Sequence, residues 1–202
     1  MSTSAATPGP PGPCALEVGL LLFPGLTHLD MTGPHEVLAR LPGARVRLVW
    51  KTREPVRSDS GLTMLPDTGF EDCPQLDLLC VPGGPGVAAL MEDDVVHWAS
   101  HDFLAALGAV PVNARVVRDG NLFTGGGVTA GIDFALTIAA EIAGPEVAQA
   151  IQLQIEYAPE PPFAAGHPDV APAAVLARAK ERGAAMRTAR EALVARVAAR
   201  LG

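Results

Sequence analysis

The sequence predicts a layered α/β domain on a mostly parallel sheet. Two short, nearly continuous apolar runs, Leu16–Phe23 and Leu76–Val81, each end in a Pro-Gly turn and read as buried strands. Helical patterns alternate with the strands, as layered α/β folds require. The chain has 202 residues, 49% of them hydrophobic, enough to bury one sizeable core.

The elements follow in order. Residues 1–13 are rich in Pro, Gly, Ser and Thr and read as a flexible tail, leaving 14–202 as a single domain. After the first strand, Asp30 and Thr32 are candidate helix-start residues. Pro34 suits a first turn, Val37, Leu38 and Leu41 supply an apolar face, and Pro42-Gly43 stops the helix. Ala44–Lys51 alternates as a strand does. Val56 and Leu62–Leu65 form a short hairpin about Asp59-Ser60-Gly61. Leu76–Val81 runs into Pro82-Gly83-Gly84-Pro85-Gly86, a tight loop rich in backbone donors. A helix is expected over Val95–Leu107. Val112–Val117 and Leu122–Thr124 flank the hairpin signal Asp119-Gly120, and a strong helix covers Thr129–Ile142. The loop EYAPEPPFAAGHPD precedes a long Ala/Arg helix, Pro172–Leu201, with Val175, Leu176, Ala179, Met186, Leu193 and Val197 on overlapping apolar faces. In such folds ligands sit at the carboxyl ends of the strands. That brings the loop after Phe23, with Asp30, near the loop after Val81, with Gly83 and Gly84.

Charged residues are only 18% and mean hydropathy is +0.25, so the body is not a disordered chain. A net charge of −7 without a basic run argues against nucleic acid as partner. No apolar run reaches the roughly 20 residues of a membrane helix, and the N-terminus lacks a secretory pattern, so the cytoplasm is the expected compartment. Three cysteines without a C-x-x-C pair give neither a disulfide framework nor a zinc-ribbon spacing.

Several motifs invite a chemical reading. Gly125-x-Gly127-x-x-Ala130 formally matches a dinucleotide fingerprint, but no following strand ends in an acidic residue; the plainer reading is a tight turn packing a helix on the sheet. His97 and His101 have the spacing of a helical metal pair, but no Glu follows the first His; a partly exposed helix face is the plainer reading, and no metal is expected. No strained G-x-S-x-G turn or Cys counterpart is present. Cys14 lies in the tail, Cys73 in a loop-like Glu-Asp-Cys-Pro, and Cys80 inside an apolar strand where a thiolate is costly. Asp30 is either a helix cap or a general acid/base at the sheet edge.

The segments LLFPGLTHLDMTGPHEVLARLP, SGLTMLPDTGFEDCPQLDLLCVPGGPGVAALMED, HWASHDFLAALGAVPV, RVVRDGNLFTGGGVTAGIDFALTIAAE and QLQIEYAPEPPF resemble the isocyanide hydratase branch of the DJ-1/PfpI superfamily. The resemblance runs from about Leu16 to the C-terminus. It implies a flavodoxin-like, class I glutamine amidotransferase-like fold, a homodimer, and a small-molecule isocyanide as substrate, with no cofactor and no membrane partner. The implied reaction adds water to R–N≡C and releases an N-substituted formamide. A cysteine thiolate on a sharp strand-to-helix turn attacks the isocyanide carbon, a carboxylic acid manages the proton, and the thioimidate is hydrolysed. Position by position, Asp30 matches the catalytic aspartate. Gly83 and Gly84 match the Pro-Gly-Gly loop whose N–H groups face the nucleophile. Thr32, Gly33 and Pro34 match residues that shape the first loop, with Thr32 on the substrate side. Cys80 matches a strand position before Pro-Gly-Gly, not the nucleophile.

The sequence departs from that pattern at one place. Met91–Val96 runs straight into His97-Trp98, where the family carries a helix, a strand and a Cys-Thr-Gly elbow with its helix. The seam at Val96/His97 implies loss of the nucleophile and of one interior strand, and impaired or absent turnover. The competing readings are a non-catalytic module for dimerisation or small-molecule binding, and the sensor half of a transcription regulator. A single helix after the α/β part and an acidic chain argue against the last.

Overall fold

The computed structural model describes residues 16–87 and 110–201. The tail, the expected helix over Val95–Leu107, His97, His101 and the Val96/His97 seam lie outside the described residues.

Strand β1 (Leu16–Leu21) is the centre of a parallel sheet, paired with β2 (Ala44–Trp50) on one side and β6 (Leu78–Cys80) on the other. Its apolar run is what a strand with neighbours on both sides and layers on both faces needs. Leu16 lies opposite Ala44 and Leu21 opposite Val49, while Val18 lies opposite Leu78. Side chain and backbone together fix the start of β6: Asp77 N–H donates to Glu17 O at 2.9 Å, and Glu17 N–H donates to Asp77 Oδ2 at 2.8 Å. The expected hairpin forms, with β3 (Val56–Arg57) antiparallel to β4 (Thr63–Met64). Strand β5 (Thr68–Gly69) then adds to the outer edge of β2, completing the order β5-β2-β1-β6.

Helix α1 (His28–Leu38) starts earlier than the sequence suggests. Thr27 is its N-cap, Asp30 lies inside its first turn, and Pro34 stands in the interior. Asp30 is therefore not the helix cap. Met31, Val37 and Leu38 face inward onto the sheet and join Val18, Leu20, Leu22 and Phe23 in the core. Each fully buried side chain of this kind stabilises the fold by roughly 1.5–3 kcal/mol.

Strand β6 differs from the expected buried strand at Leu76–Val81. Only Leu78–Cys80 pairs; Cys80 turns into the core, while Leu79 and Val81 are 54% and 40% exposed. The reason is position: β6 is the outermost strand of the described sheet, and alternation sends its odd-numbered residues away from the core.

Strands β7 (Val116–Asp119) and β8 (Leu122–Gly125) pair antiparallel with Asp119 opposite Leu122, so the two loop residues are Gly120 and Asn121. Gly120 has φ 59°, the positive value a hairpin turn with Gly at its first central position requires. Helix α2 (Ala130–Ala143) packs against α1, and Gly144 ends it at φ 90°. Pro145 then opens α3 (Pro145–Gln154), a helix absent from the sequence expectation although Pro at a first helical position signals it. Helix α4 (Ala173–Leu201) spans 29 residues and is exposed over most of its described side chains. Among the described residues, no helix is long and apolar enough to cross a membrane.

The turn at Gly125–Gly127 does what the plainer reading requires. Gly126 N–H donates to Arg115 O at 2.8 Å and Ala130 N–H to Gly127 O at 2.9 Å, so these amides serve the fold and do not form a phosphate cradle.

Candidate active site at the Asp30–Gly83 contact

Two loops leave the carboxyl ends of the adjacent parallel strands β1 and β6, and backbone bonds lace them together. Thr27 N–H donates to Gly83 O at 2.7 Å, and Gly86 N–H donates to Gly25 O at 3.1 Å. The close approach needs glycine at 84, where φ is +136°. A Cβ there would sit 2.6 Å from Gly25 O and 2.8 Å from Leu26 C.

Asp30 spans the gap from α1. Its Oδ2 accepts the Gly83 N–H at 2.9 Å. Its Oδ1 is buried and meets no hydrogen-bond partner among the described residues. Burial pushes the Asp30 carboxyl above its ordinary value. The Gly83 N–H opposes this, the negative charge of Asp59 adds to it, and His28 opposes it. The result is a carboxyl that keeps its proton to higher pH than an ordinary aspartate, with one oxygen held by Gly83 and the other buried without a partner among the described residues. That is the arrangement of a general acid.

The sequence argument brings Asp30, Gly83 and Gly84 together, and the structure places them so. It places Thr32 differently. The Thr32 hydroxyl donates to His28 O at 3.1 Å, one turn back along α1, so it serves the helix. Gly33 and Pro34 lie inside α1 against α2: a Cβ on Gly33 would meet Ile132 Cγ1 at 3.3 Å, and one on Gly131 would meet Pro34 Cδ at 2.9 Å. They set the α1–α2 approach. The Gly83 amide is committed to Asp30, which leaves Gly84 as the loop donor with no partner among the described bonds.

Other residues reach the site that sequence reasoning did not single out. The tip of the β3–β4 hairpin clamps the first loop: Gly25 N–H donates to Arg57 O at 2.8 Å, Asp59 N–H to Leu26 O at 2.9 Å, and Thr27 Oγ1 to Asp59 Oδ2 at 2.7 Å. Ser60 Oγ lies 3.1 Å from His28 Nδ1. Asp59-Ser60-Gly61 carried a turn signal, but nothing in its local pattern says where the turn docks.

Cys80 lies close enough to Asp30 to feel its charge. Burial, and then Asp30, push the Cys80 thiol up to about 12. It stays a thiol at neutral pH and serves as a buried core group, in keeping with its place in β6. A second cluster stands at the start of α2. Arg115 Nε donates to Asp133 Oδ2 at 2.9 Å, and Tyr157 Oη donates to the same oxygen at 3.0 Å. It ties β7, α2 and the loop after α3 together.

Comparison with known proteins places this geometry. The DJ-1/PfpI family model matches residues 17–106. The chain is 49% identical to an isonitrile hydratase of Pseudomonas putida, over 93% of this chain and 98% of the relative. A THiJ/PfpI family protein from Pseudomonas syringae superposes with a TM-score of 0.82 at 34% identity, covering 95% of this chain and 97% of its own. Drosophila melanogaster DJ-1beta shares the fold with a TM-score of 0.58 at 23% identity, over 71% of this chain and 99% of its own. Likeness at this level runs through both site loops and nearly the full length of two bacterial relatives, and the chain belongs to the DJ-1/PfpI family.

Proposed function

We propose that the Asp30–Gly83 contact is the proton-handling half of an isocyanide hydratase site, and that turnover in this chain is impaired because the nucleophile segment is missing at Val96/His97. The overall reaction is R–N≡C plus water to R–NH–CHO. Asp30 supplies and recovers the proton, and Gly84 N–H faces the charge that develops at the reacting carbon.

The observation that carries the reading is the Asp30 carboxyl, held by Gly83 with its other oxygen buried and without a partner among the described residues. The 49% identity to an isonitrile hydratase supports the substrate class. Support for the loss comes from length: the alignment with that relative spans 224 positions, more than the 202 residues of this chain. Cys80 does not substitute as nucleophile, since a buried thiol held near 12 supplies almost no thiolate.

The test is formamide production from cyclohexyl isocyanide by the purified, folded chain against a no-protein control. The expected result is no product above background, with saturable binding of the isocyanide. Robust product formation would overturn the impairment. Absence of both product and binding would overturn the assignment of the site. Binding without turnover in every related isocyanide, even after the segment is restored, would favour the non-catalytic module.

A further inference from the structure

The first turn of α1 directs its capping groups away from its own helix. Thr27-x-x-Asp30 has the spacing of a capping box, with Asp in place of the usual Glu. In such a box the first hydroxyl accepts the amide three residues on, and that residue's side chain accepts the first amide. Neither bond forms in α1. The Thr27 hydroxyl makes no cap bond and donates to Asp59 Oδ2 at 2.7 Å. Asp30 N–H turns to the Thr27 carbonyl at 3.1 Å. Thr27 N–H donates to Gly83 O at 2.7 Å, and the Asp30 carboxylate accepts Gly83 N–H at 2.9 Å. Gly83 is thus gripped at its amide and its carbonyl by the two ends of an opened box. A threonine N-cap ordinarily stabilises its helix through that hydroxyl, and α1 forgoes this.

The β3–β4 hairpin holds the grip from outside. Asp59 brackets the entry to α1, with its N–H on Leu26 O at 2.9 Å and its carboxylate on the Thr27 hydroxyl. Beside it, Ser60 Oγ lies 3.1 Å from His28 Nδ1 and 3.2 Å from the Oγ of buried Ser58, which accepts Leu62 N–H at 3.0 Å. Leu26, Thr27 and His28 are therefore fixed to two successive hairpin residues. Among the described residues, the groups facing Asp30 are His28 on its own helix, Asp59 on the hairpin, Cys80 on β6 and the Gly83 N–H. Cys80 stays a thiol, so Asp59 is the member of this set that brings negative charge.

We propose that Asp59 is a positioning residue for Asp30: by drawing the Thr27 hydroxyl off its own helix, it holds the first turn of α1 in register with Gly83. Substitution at Asp59 reaches Asp30 by two separable routes. The bond to Thr27 sets where the first turn sits. The charge makes the Asp30 proton harder to lose, so removing it lowers the Asp30 pKa.

Two readouts on the full chain separate the routes. One is hydrogen exchange of the Gly83 amide at a fixed pH. The other is the Asp30 titration by carboxyl carbon NMR, on the resonance that Asp30→Asn removes. Thr27→Val deletes the hydroxyl and keeps the charge. It is expected to speed Gly83 exchange about fivefold, as the loss of one hydrogen bond implies, while Thr27→Ser keeps the wild-type rate. Asp59→Asn keeps an acceptor for Thr27 and removes the charge. It is expected to leave Gly83 exchange unchanged and to lower the Asp30 midpoint. Asp59→Ala is expected to show both changes, and it reads the same bond from its other end should circular dichroism show Thr27→Val unfolded. Wild-type Gly83 exchange in folded Thr27→Val or Asp59→Ala would overturn the positioning role. An Asp30 titration unmoved in Asp59→Asn would reduce Asp59 to a clamp on the loop and overturn its link to Asp30. No isocyanide is present in these measurements. The positioning role therefore stands or falls separately from the reading of Asp30 as the proton-handling group, on which its functional meaning rests.

Discussion

At Asp30 one carboxylate oxygen accepts a backbone N–H while the other is buried without a partner among the described residues. Burial raises its pKa, so the native state binds a proton more readily than the unfolded chain does. The linkage sign follows. Stability falls as pH rises from the ordinary carboxylate range through the raised folded value, and the penalty is complete above it. Asp30→Asn keeps an acceptor for Gly83 and removes the ionisation. Its stability relative to wild type is expected to be greater near about pH 8 than near about pH 4, read from urea midpoints at each pH. A pH-independent difference, or the opposite trend, would show that the raised pKa is not a native-state property of this group. Gly84 sets the second residue-scale expectation. Gly84→Ala places a methyl against Gly25 O and Leu26 C at a φ that L residues resist, and both are backbone atoms with little freedom to yield. The expected loss is about 3 kcal/mol in equilibrium unfolding. A loss below about 0.5 kcal/mol would mean that the two loops are less tightly laced than the contact implies.

Elements are as stable as the contacts that position them, and here those contacts differ in how far they are visible in the sequence. Leu20 in β1 is fully buried between strands on both sides and helices above, so Leu20→Ala is expected to cost about 2–5 kcal/mol by chemical denaturation. Tyr157→Phe, by contrast, deletes one hydroxyl that donates to Asp133 at the start of α2, and is expected to cost only about 1 kcal/mol. If the tyrosine change proved as damaging as the leucine change, the α2 cluster and not the apolar core would hold the helix layer. The leucine was legible at once, because an unbroken apolar run bounded by Pro-Gly has few other uses. So were β2 and the first hairpin, whose alternation and turn residues are local; the second hairpin was legible as a hairpin, but its first strand, expected at Val112–Val117, runs Val116–Asp119 because the turn sits one residue later, at Gly120-Asn121. Strand β5 was not, because its two residues are recruited from outside: Asp67 N–H donates to Leu48 O at 3.0 Å, and Leu48 N–H donates to Asp67 Oδ1 at 3.1 Å. The α1 start moved from Asp30 to Thr27–His28 because the Asp30 side chain serves a loop 53 residues away instead of its own helix. The site divided in the same way. Asp30 and the Pro-Gly-Gly loop stood in a recognisable pattern, while Asp59 and Ser60 joined only through contacts across 32 residues.

Among the described residues the sheet ends at β6, whose Leu79 and Val81 are half exposed although they continue an apolar run. Such a strand is built as an interior one, and on the proposed reading the missing segment supplied its neighbour. This joins stability and catalysis, since the same insertion would cover the edge and deliver the thiolate. Grafting the corresponding segment of the Pseudomonas putida relative between Val96 and His97 is therefore expected to do two things at once. Dye binding to exposed apolar surface falls as the β6 edge gains a partner. Formamide production from an alkyl isocyanide appears. In the grafted protein, Asp30→Ala and replacement of the grafted cysteine should each lower kcat/KM by about 10³-fold or more. The double variant should lose little beyond either, because groups that act on one proton and one bond are not additive. A folded graft that covers the edge but makes no formamide would separate the architectural role of the segment from the chemistry. Turnover that survives Asp30→Ala would remove Asp30 from the mechanism and shift proton handling to a group on the grafted elbow.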